Sequence, residues 1–284
     1  MKKFLILFLA FTLIGSFAVA QDDGLGLTVG IELGFPNISD FEDFPLTVKP
    51  FIEYANSFGD IDLWAGLAFP LGLVGDAKAG GGDGDAIIGM EFELEVWYNL
   101  ALSEASTLSF GLYADLPVHF APELADKLSI FGLNLKPMVK FNQNMDDIGD
   151  LYIVVGADLG IIQQFAIDGG DDLIVNLPIT LGWASTFGLG IEVTPTLWLA
   201  PDRGETLGGM ELLFMYGPED LPIYAELSVN FPAGFDFDLG LSLGLLFEYH
   251  LDPMCFYVGC DFDNIAADQG DVGISPYVGF KYSF

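Results

Sequence analysis

The sequence predicts an all-β protein, a closed antiparallel transmembrane β-barrel of about fourteen strands, or twelve if two weak segments merge. Three observations carry that prediction. From Leu25 to Phe284 apolar residues alternate with polar or small ones at period two, interrupted by clusters of Gly, Asp, Asn and Pro. Many of these segments reach 10 to 14 residues, longer than the ~5–6 usual in soluble sheets and near the ~9–11 of a spanning strand. Their apolar face holds no Asp, Glu, Lys or Arg, as a surface in contact with hydrocarbon requires.

The chain of 284 residues is 52% hydrophobic and 18% charged, with 9 Lys plus Arg against 41 Asp plus Glu. Phosphate backbones need clustered cations, so nucleic acid is excluded as a partner. A mean hydropathy of +0.47 leaves too much apolar surface for a disordered chain. Two cysteines are too few for a disulfide framework. Neither is spaced with a histidine as a zinc ligand set would be, so no metal and no cofactor is expected.

The N-terminus divides from the rest. Lys2 and Lys3 precede an apolar run from Phe4 to Ile14, and Ala18-Val19-Ala20 offers the small residues that a signal peptidase reads. The run is too short to span a bilayer as a helix. Residues 1–20 are therefore expected to be a signal peptide and 21–284 a single barrel domain, which keeps 7 basic residues against 41 acidic.

Strands are expected near 25–34, 46–55, 60–70, 87–99, 107–119, 129–141, 151–162, 173–184, 187–199, 209–216, 221–231, 237–250, 254–262 and 272–284. The fourth shows the pattern well: Ile88, Met90, Phe92, Leu94, Val96 and Tyr98 face one way, Glu91, Glu93, Glu95 and Trp97 the other. With both chain ends on one side, Tyr54, Tyr98, Phe141, Trp183, Phe187, Tyr216, Tyr249, Tyr282 and Phe284 gather at that side. Phe69, Phe120, Phe231 and Phe262 gather at the other, giving the two aromatic girdles of a spanning barrel. The Gly/Asp-rich stretch 73–84 becomes an external loop, and residues 72–86 could fold inward as a constriction. Asn142–Asp150 stands out as a rather long turn on the side of the chain ends.

The signal, the alternating strands and the closing run Tyr277-Val278-Gly279-Phe280-Lys281-Tyr282-Ser283-Phe284 resemble the outer-membrane β-barrel proteins of diderm bacteria, the porin-like ones in particular. The resemblance implies an outer-membrane location, with lipid and the barrel-insertion machinery as partners. It makes Tyr282 and Phe284 the assembly signal that the machinery reads.

Prolines pull the other way. Pro50, Pro117, Pro137, Pro178, Pro195, Pro222 and Pro276 fall within or at the ends of the expected strands, and a closed sheet has no edge where a missing N–H is harmless. Either they mark bulges or the strand boundaries lie elsewhere. A soluble, secreted, acidic β-rich protein would accommodate them as well.

The charged face carries the candidate chemistry. Glu91, Glu93, Glu95, Asp115, Asp158, Glu192, Glu226 and Glu248 are the candidates for a selective lumen, with Lys49, Lys136, Lys140 and Lys281 as its few cations. Carboxylates inside a narrow tube favour cations, so the expected cargo is small solutes, cationic or neutral. Glu91, Glu93 and Glu95 stand about 7 Å apart on one strand face. His119 and His250 end strands of opposite direction, so they lie at opposite rims, and no catalytic residues are expected. Gly80–Asp85 reads as a flexible acidic loop. Cys255 and Cys260 would be roughly 17 Å apart in a straight strand, beyond disulfide reach unless the strand turns there. The alternative function is a closed structural or surface-interaction barrel. Bulky inward residues decide between the two: Trp64, Trp97, Tyr113, Tyr152, Trp198, Tyr224 and Tyr277 would block a narrow tube if they pointed across it.

Overall fold

The computed structural model describes residues 26–35, 46–73, 86–120, 129–164, 175–200, 205–231, 240–265 and 272–284. They form a closed antiparallel barrel of fourteen wall strands, with one 3₁₀ turn at Asp146–Ile148. The strands are β1 (Leu27–Gly34), β2 (Leu46–Phe58), β3 (Ile61–Ala68, resumed as Leu71–Leu73), β4 (Ala86–Ala101) and β5 (Ser106–Phe120). They continue as β6 (Ser129–Asn144), β7 (Asp150–Gly156, resumed as Asp158–Gln164), β8 (Val175–Ala184), β9 (Leu189–Ala200) and β10 (Glu205–Tyr216). The last are β11 (Ile223–Phe231), β12 (Leu241–Leu251), β13 (Met254–Ile265) and β14 (Gly273–Ser283). Each strand pairs with the next, and β1 pairs with both β2 and β14. Closure is tightened at the seam, where Thr28 and Ser283 share a hydroxyl hydrogen bond and Phe284 N–H donates to the Leu27 carbonyl at 2.8 Å.

The pattern in the sequence maps onto two surfaces. Phe92, Val139, Ile153, Leu181 and Phe247 stand 38% to 48% exposed on the outside of the wall. A sandwich would bury that face between two sheets; here it is the outer surface, and the charged face turns inward. Tyr98, Phe141, Phe187, Tyr216 and Tyr249 lie exposed toward the end that carries both chain ends, with Trp183 packed edge-on against Phe187. The side chain of Phe120 lies outside the described residues, as do residues 1–20, where a signal peptide is expected, and the stretch 74–85. At the end carrying the chain ends the connections are short. That between β6 and β7 is residues 145–149, because both strands run further than the sequence suggested, so the long turn expected there shrinks.

Pro50, Pro137, Pro178 and Pro195 lie within strands and mark gaps in the ladder without shifting its register. Pro137 on β6 and Pro178 on β8 flank the same interruption of β7 at Ala157. On one side the pairing runs Met138↔Gly156 and then Leu135↔Leu159; on the other, Ile179↔Val155 and then Asn176↔Asp158. The register is the same before and after each gap, and Ala157 N–H still reaches the Pro137 carbonyl at 3.1 Å. Pro50 does the same for the break in β3, accepting from Phe69 N–H at 2.9 Å. Opposite Pro195 the β8–β9 ladder is interrupted, and Thr180 and Thr194 bridge the gap through their hydroxyls at 3.0 Å. Pro222 sits in the turn before β11, where its carbonyl accepts from His250 N–H.

Inward aromatics pair with glycines on neighbouring strands. Phe51 lies over Gly30, Trp97 over Gly111, Tyr152 over Gly182, and Tyr257 and Tyr277 reciprocally over Gly279 and Gly259. Each glycine is the direct cross-strand partner of its ring. A β-carbon on Gly111 would sit 2.6 Å from the Trp97 ring, closer than any real contact allows. The ring therefore lies flat on the wall because its partner has no side chain. Gly279→Ala pushes a methyl group into the Tyr257 ring, and we expect a loss of about 1–3 kcal/mol from overpacking. The readout is a lower urea midpoint for the refolded barrel; an unchanged midpoint would mean that the ring has room to move off the wall.

Candidate functional site: the lumen wall

Strand periodicity delivers the charged side chains to the inside, and cross-strand register decides which of them meet. On β4, Glu91 pairs with Lys49 of β2 at 2.8 Å. Glu93 faces Asp115 of β5 as its direct neighbour, two carboxylates side by side. Glu95 accepts from the Trp97 indole, and Asp115 accepts from Asn134 at 3.3 Å. Further round, Glu192 accepts from the Tyr152 hydroxyl, and Glu226 from Tyr224 at 2.8 Å. Glu248 holds Lys281 at 3.1 Å and His250 at 3.2 Å. Asp158 stands opposite Asn176 where β7 resumes. Most of the predicted lumen carboxylates are thus fixed by a donor on the same wall, which holds their charge in place rather than leaving it on a free side chain.

Two cavities separate the charges. One, of about 410 Å³, is lined by Glu32, Glu53, Glu91, Glu93, Glu248 and Asp261 together with Lys49 and Lys281, six carboxylates against two ammonium groups. The other, of about 300 Å³, carries Glu95 and Glu192 with Lys136 and Lys140. Its acid and base are equal in number, and Lys140 also lies 4.8 Å from the centre of the Tyr152 ring. The predicted acidic set is therefore split: Glu91, Glu93 and Glu248 share one cavity, Glu95 and Glu192 the other. The four lumen cations expected from the sequence, Lys49, Lys136, Lys140 and Lys281, are gathered in these same two places.

At the end of the barrel that carries the chain ends, the inner rim is a polar chain. Ser57 donates to Asp62, Asn99 donates to Asp62, and Ser109 donates to Asn99, each at 2.6 Å. Glu211 also points inward, near Glu192, Glu226 and Lys136. Sequence reading passed over it because Gly208 and Gly209 blur the alternation that begins β10; Leu212, Phe214 and Tyr216 on the opposite face were the usable signal.

His119 and His250 belong to opposite ends of the barrel by backbone register, although the His119 side chain, like that of Trp198, lies outside the described residues. Cys255 faces inward and Cys260 outward on one straight strand, and both are free thiols. The register also corrects an inference from spacing. His250 and Cys255 are five positions apart along the chain, yet the β12–β13 hairpin makes them direct partners.

The chain matches no protein-family model and no curated protein sequence. Solved structures of similar architecture are outer-membrane porins and channels. The toluene transporter TodX of Pseudomonas putida is 10% identical over 94% of this chain and 91% of that one, with a TM-score of 0.49. The NanC porin is 11% identical over 90% of this chain and all of that one (100%), with a TM-score of 0.42. CdiB from Acinetobacter baumannii is 10% identical over 91% of this chain, which spans 60% of that protein, with a TM-score of 0.47. Likeness at about a tenth identity and a TM-score below 0.5 carries no weight for function, which is read from this chain's own wall.

Opposite facing of the two cysteines has a direct test. After folding without reductant, then denaturation and alkylation, both thiols are expected to take up the label by intact mass. A mass two protons short and unlabelled would show a disulfide and a bent β13.

Proposed function

We propose that this chain is an outer-membrane barrel that lets small solutes through, with a preference for cations set by the cavity that holds Glu53, Glu91 and Glu93. The single observation carrying the channel reading is the posture of the inward aromatics. Of the inward residues bulky enough to close the tube, Trp97, Tyr152 and Tyr277 each lie over a glycine on a neighbouring strand and Trp64 over Gly66 of its own strand, while Tyr224 is tied to Glu226 on the same wall. With the rings flat, the interior keeps water-sized space bounded by charge. The membrane reading rests on the outer surface, where exposed Ile, Leu, Val and Phe form an apolar wall, and the outward positions of the strands carry no charged residue among the described residues. In water such a surface would associate; in lipid it is solvated. The cation preference follows from the excess of carboxylates in the larger cavity, since a low-dielectric tube with net negative charge concentrates cations and repels anions.

Planar-bilayer recording of the refolded mature protein across a KCl gradient tests this. Steady steps with a cation-favouring reversal potential are expected. The triple variant E53Q/E91Q/E93Q removes half of the carboxylates in the larger cavity, and its cation-to-anion permeability ratio should fall toward unity. Silent protein that is demonstrably inserted would instead indicate the closed structural barrel. Protein that enters neither lipid nor detergent would overturn the membrane reading.

The assembly signal is tested separately. Tyr282 and Phe284 pack edge-on at 4.8 Å between ring centres at the closing seam. Deletion of Phe284 is expected to reduce the amount reaching the outer-membrane fraction. Unchanged fractionation is the outcome a soluble periplasmic protein would give.

A further inference from the structure

We propose that Glu248, His250 and Cys255 form a binding site for a borderline-soft divalent cation such as Zn²⁺ on the inner wall, near the end of the barrel that carries the chain ends. Their potential ligand atoms all lie within 4.8 Å of one another. The arrangement follows from strand geometry. Glu248 and His250 are two apart on β12 and so share the inward face. Cys255 is the residue directly opposite His250 on β13, across the Asp252–Pro253 turn. Three donors of different kinds are thus brought together by one hairpin.

Their chemistry selects the ion. A thiolate and an imidazole exclude Ca²⁺ and Mg²⁺, which take oxygen ligands, and suit Zn²⁺ and its neighbours. In a tetrahedral zinc site, metal–ligand bonds of about 2.0–2.3 Å place ligand atoms about 3.3–3.8 Å apart. Glu248 Oε2 and His250 Nε2 are already 3.2 Å apart. The remaining contraction toward Cys255 lies within side-chain rotation. Glu248 also has its two oxygens differently engaged: Oε1 holds Lys281 at 3.1 Å, which leaves Oε2 on the His250 side for the metal. Such an anchored carboxylate is oriented before the ion arrives.

Access and charge fit as well. Cys255 is 8% exposed and the Glu248 side chain 12%, whereas His250 is half exposed, so the site is enclosed on two sides and open on the third. On binding, the Cys255 thiol releases its proton to solvent; the thiolate and the Glu248 carboxylate then face both the dication and the Lys281 ammonium, with Glu53 as a further carboxylate lining the same cavity. Three protein ligands leave a fourth position for water or a passing solute.

Cobalt supplies the probe. The folded mature barrel in detergent with a phosphine reductant is titrated with Co²⁺ and followed by absorbance in the thiolate-to-cobalt charge-transfer region. Saturation at about one equivalent is expected. The band should be lost in C255S, bind at least about tenfold more weakly in H250A, and be unchanged in C260S. No band in the unaltered chain, or a band that survives C255S or H250A with the same affinity, overturns the proposal. A second measurement keeps all three ligands intact. In C260S, Zn²⁺ is expected to slow maleimide labelling of Cys255 at least about tenfold. Equal labelling rates with and without Zn²⁺ would overturn the site even if H250A or C255S failed to fold.

Discussion

Everything in this structure depends on the need to satisfy backbone N–H and C=O groups inside an apolar surround. A sheet whose outer face is hydrocarbon-like cannot leave an edge exposed there. The β1–β14 seam removes the edge, and the antiparallel order, the even number of strands and the location of both chain ends at one rim all follow from it. The prolines show how much slack this requirement allows. At Pro50, Pro137 and Pro195 the strands hold together around the missing donor: the Pro50 and Pro137 carbonyls keep their own bonds, and Thr180 and Thr194 join through their hydroxyls beside Pro195.

The lumen is governed by a second constraint, acting on charge. Carboxylates cannot be crowded in a narrow tube without partners, and the wall provides these from nearest neighbours: tyrosine hydroxyls, an indole, an asparagine amide and lysines. Net charge is then set by the count of lysines: the larger cavity stays acidic because its six carboxylates outnumber Lys49 and Lys281, while the smaller one has as many lysines as carboxylates.

The fold was legible because period-two alternation is a local property, and all fourteen strands lie where the alternation put them. Which residues face inward was legible for the same reason. What sequence could not supply is register, a relation between residues far apart along the chain. Glu93 beside Asp115, Lys49 upon Glu91 and His250 opposite Cys255 are register facts. The flat posture of the rings is another. Trp97 and Tyr152 read as obstructions by size alone, and only their pairing with Gly111 and Gly182 shows that they lie along the wall. The prolines misled in the opposite direction, since a one-strand view counts the missing donor and not the carbonyl or hydroxyl on the adjacent strand.

The ring-on-glycine pairs have an evolutionary consequence. A ring and its glycine occupy one shared volume, so neither position can drift alone: enlarging the glycine expels the ring, and shrinking the ring leaves a void. Substitutions at Tyr257 and Gly279, or at Tyr277 and Gly259, should therefore be inherited in tandem. Outward-facing Val and Leu, by contrast, can interchange freely. A strand slipped by one residue would place a ring against a branched side chain, so the same pairs also act as a check on alignment during assembly. The memory of correct strand order would then reside on the wet side of the wall, away from the surface that lipid selects.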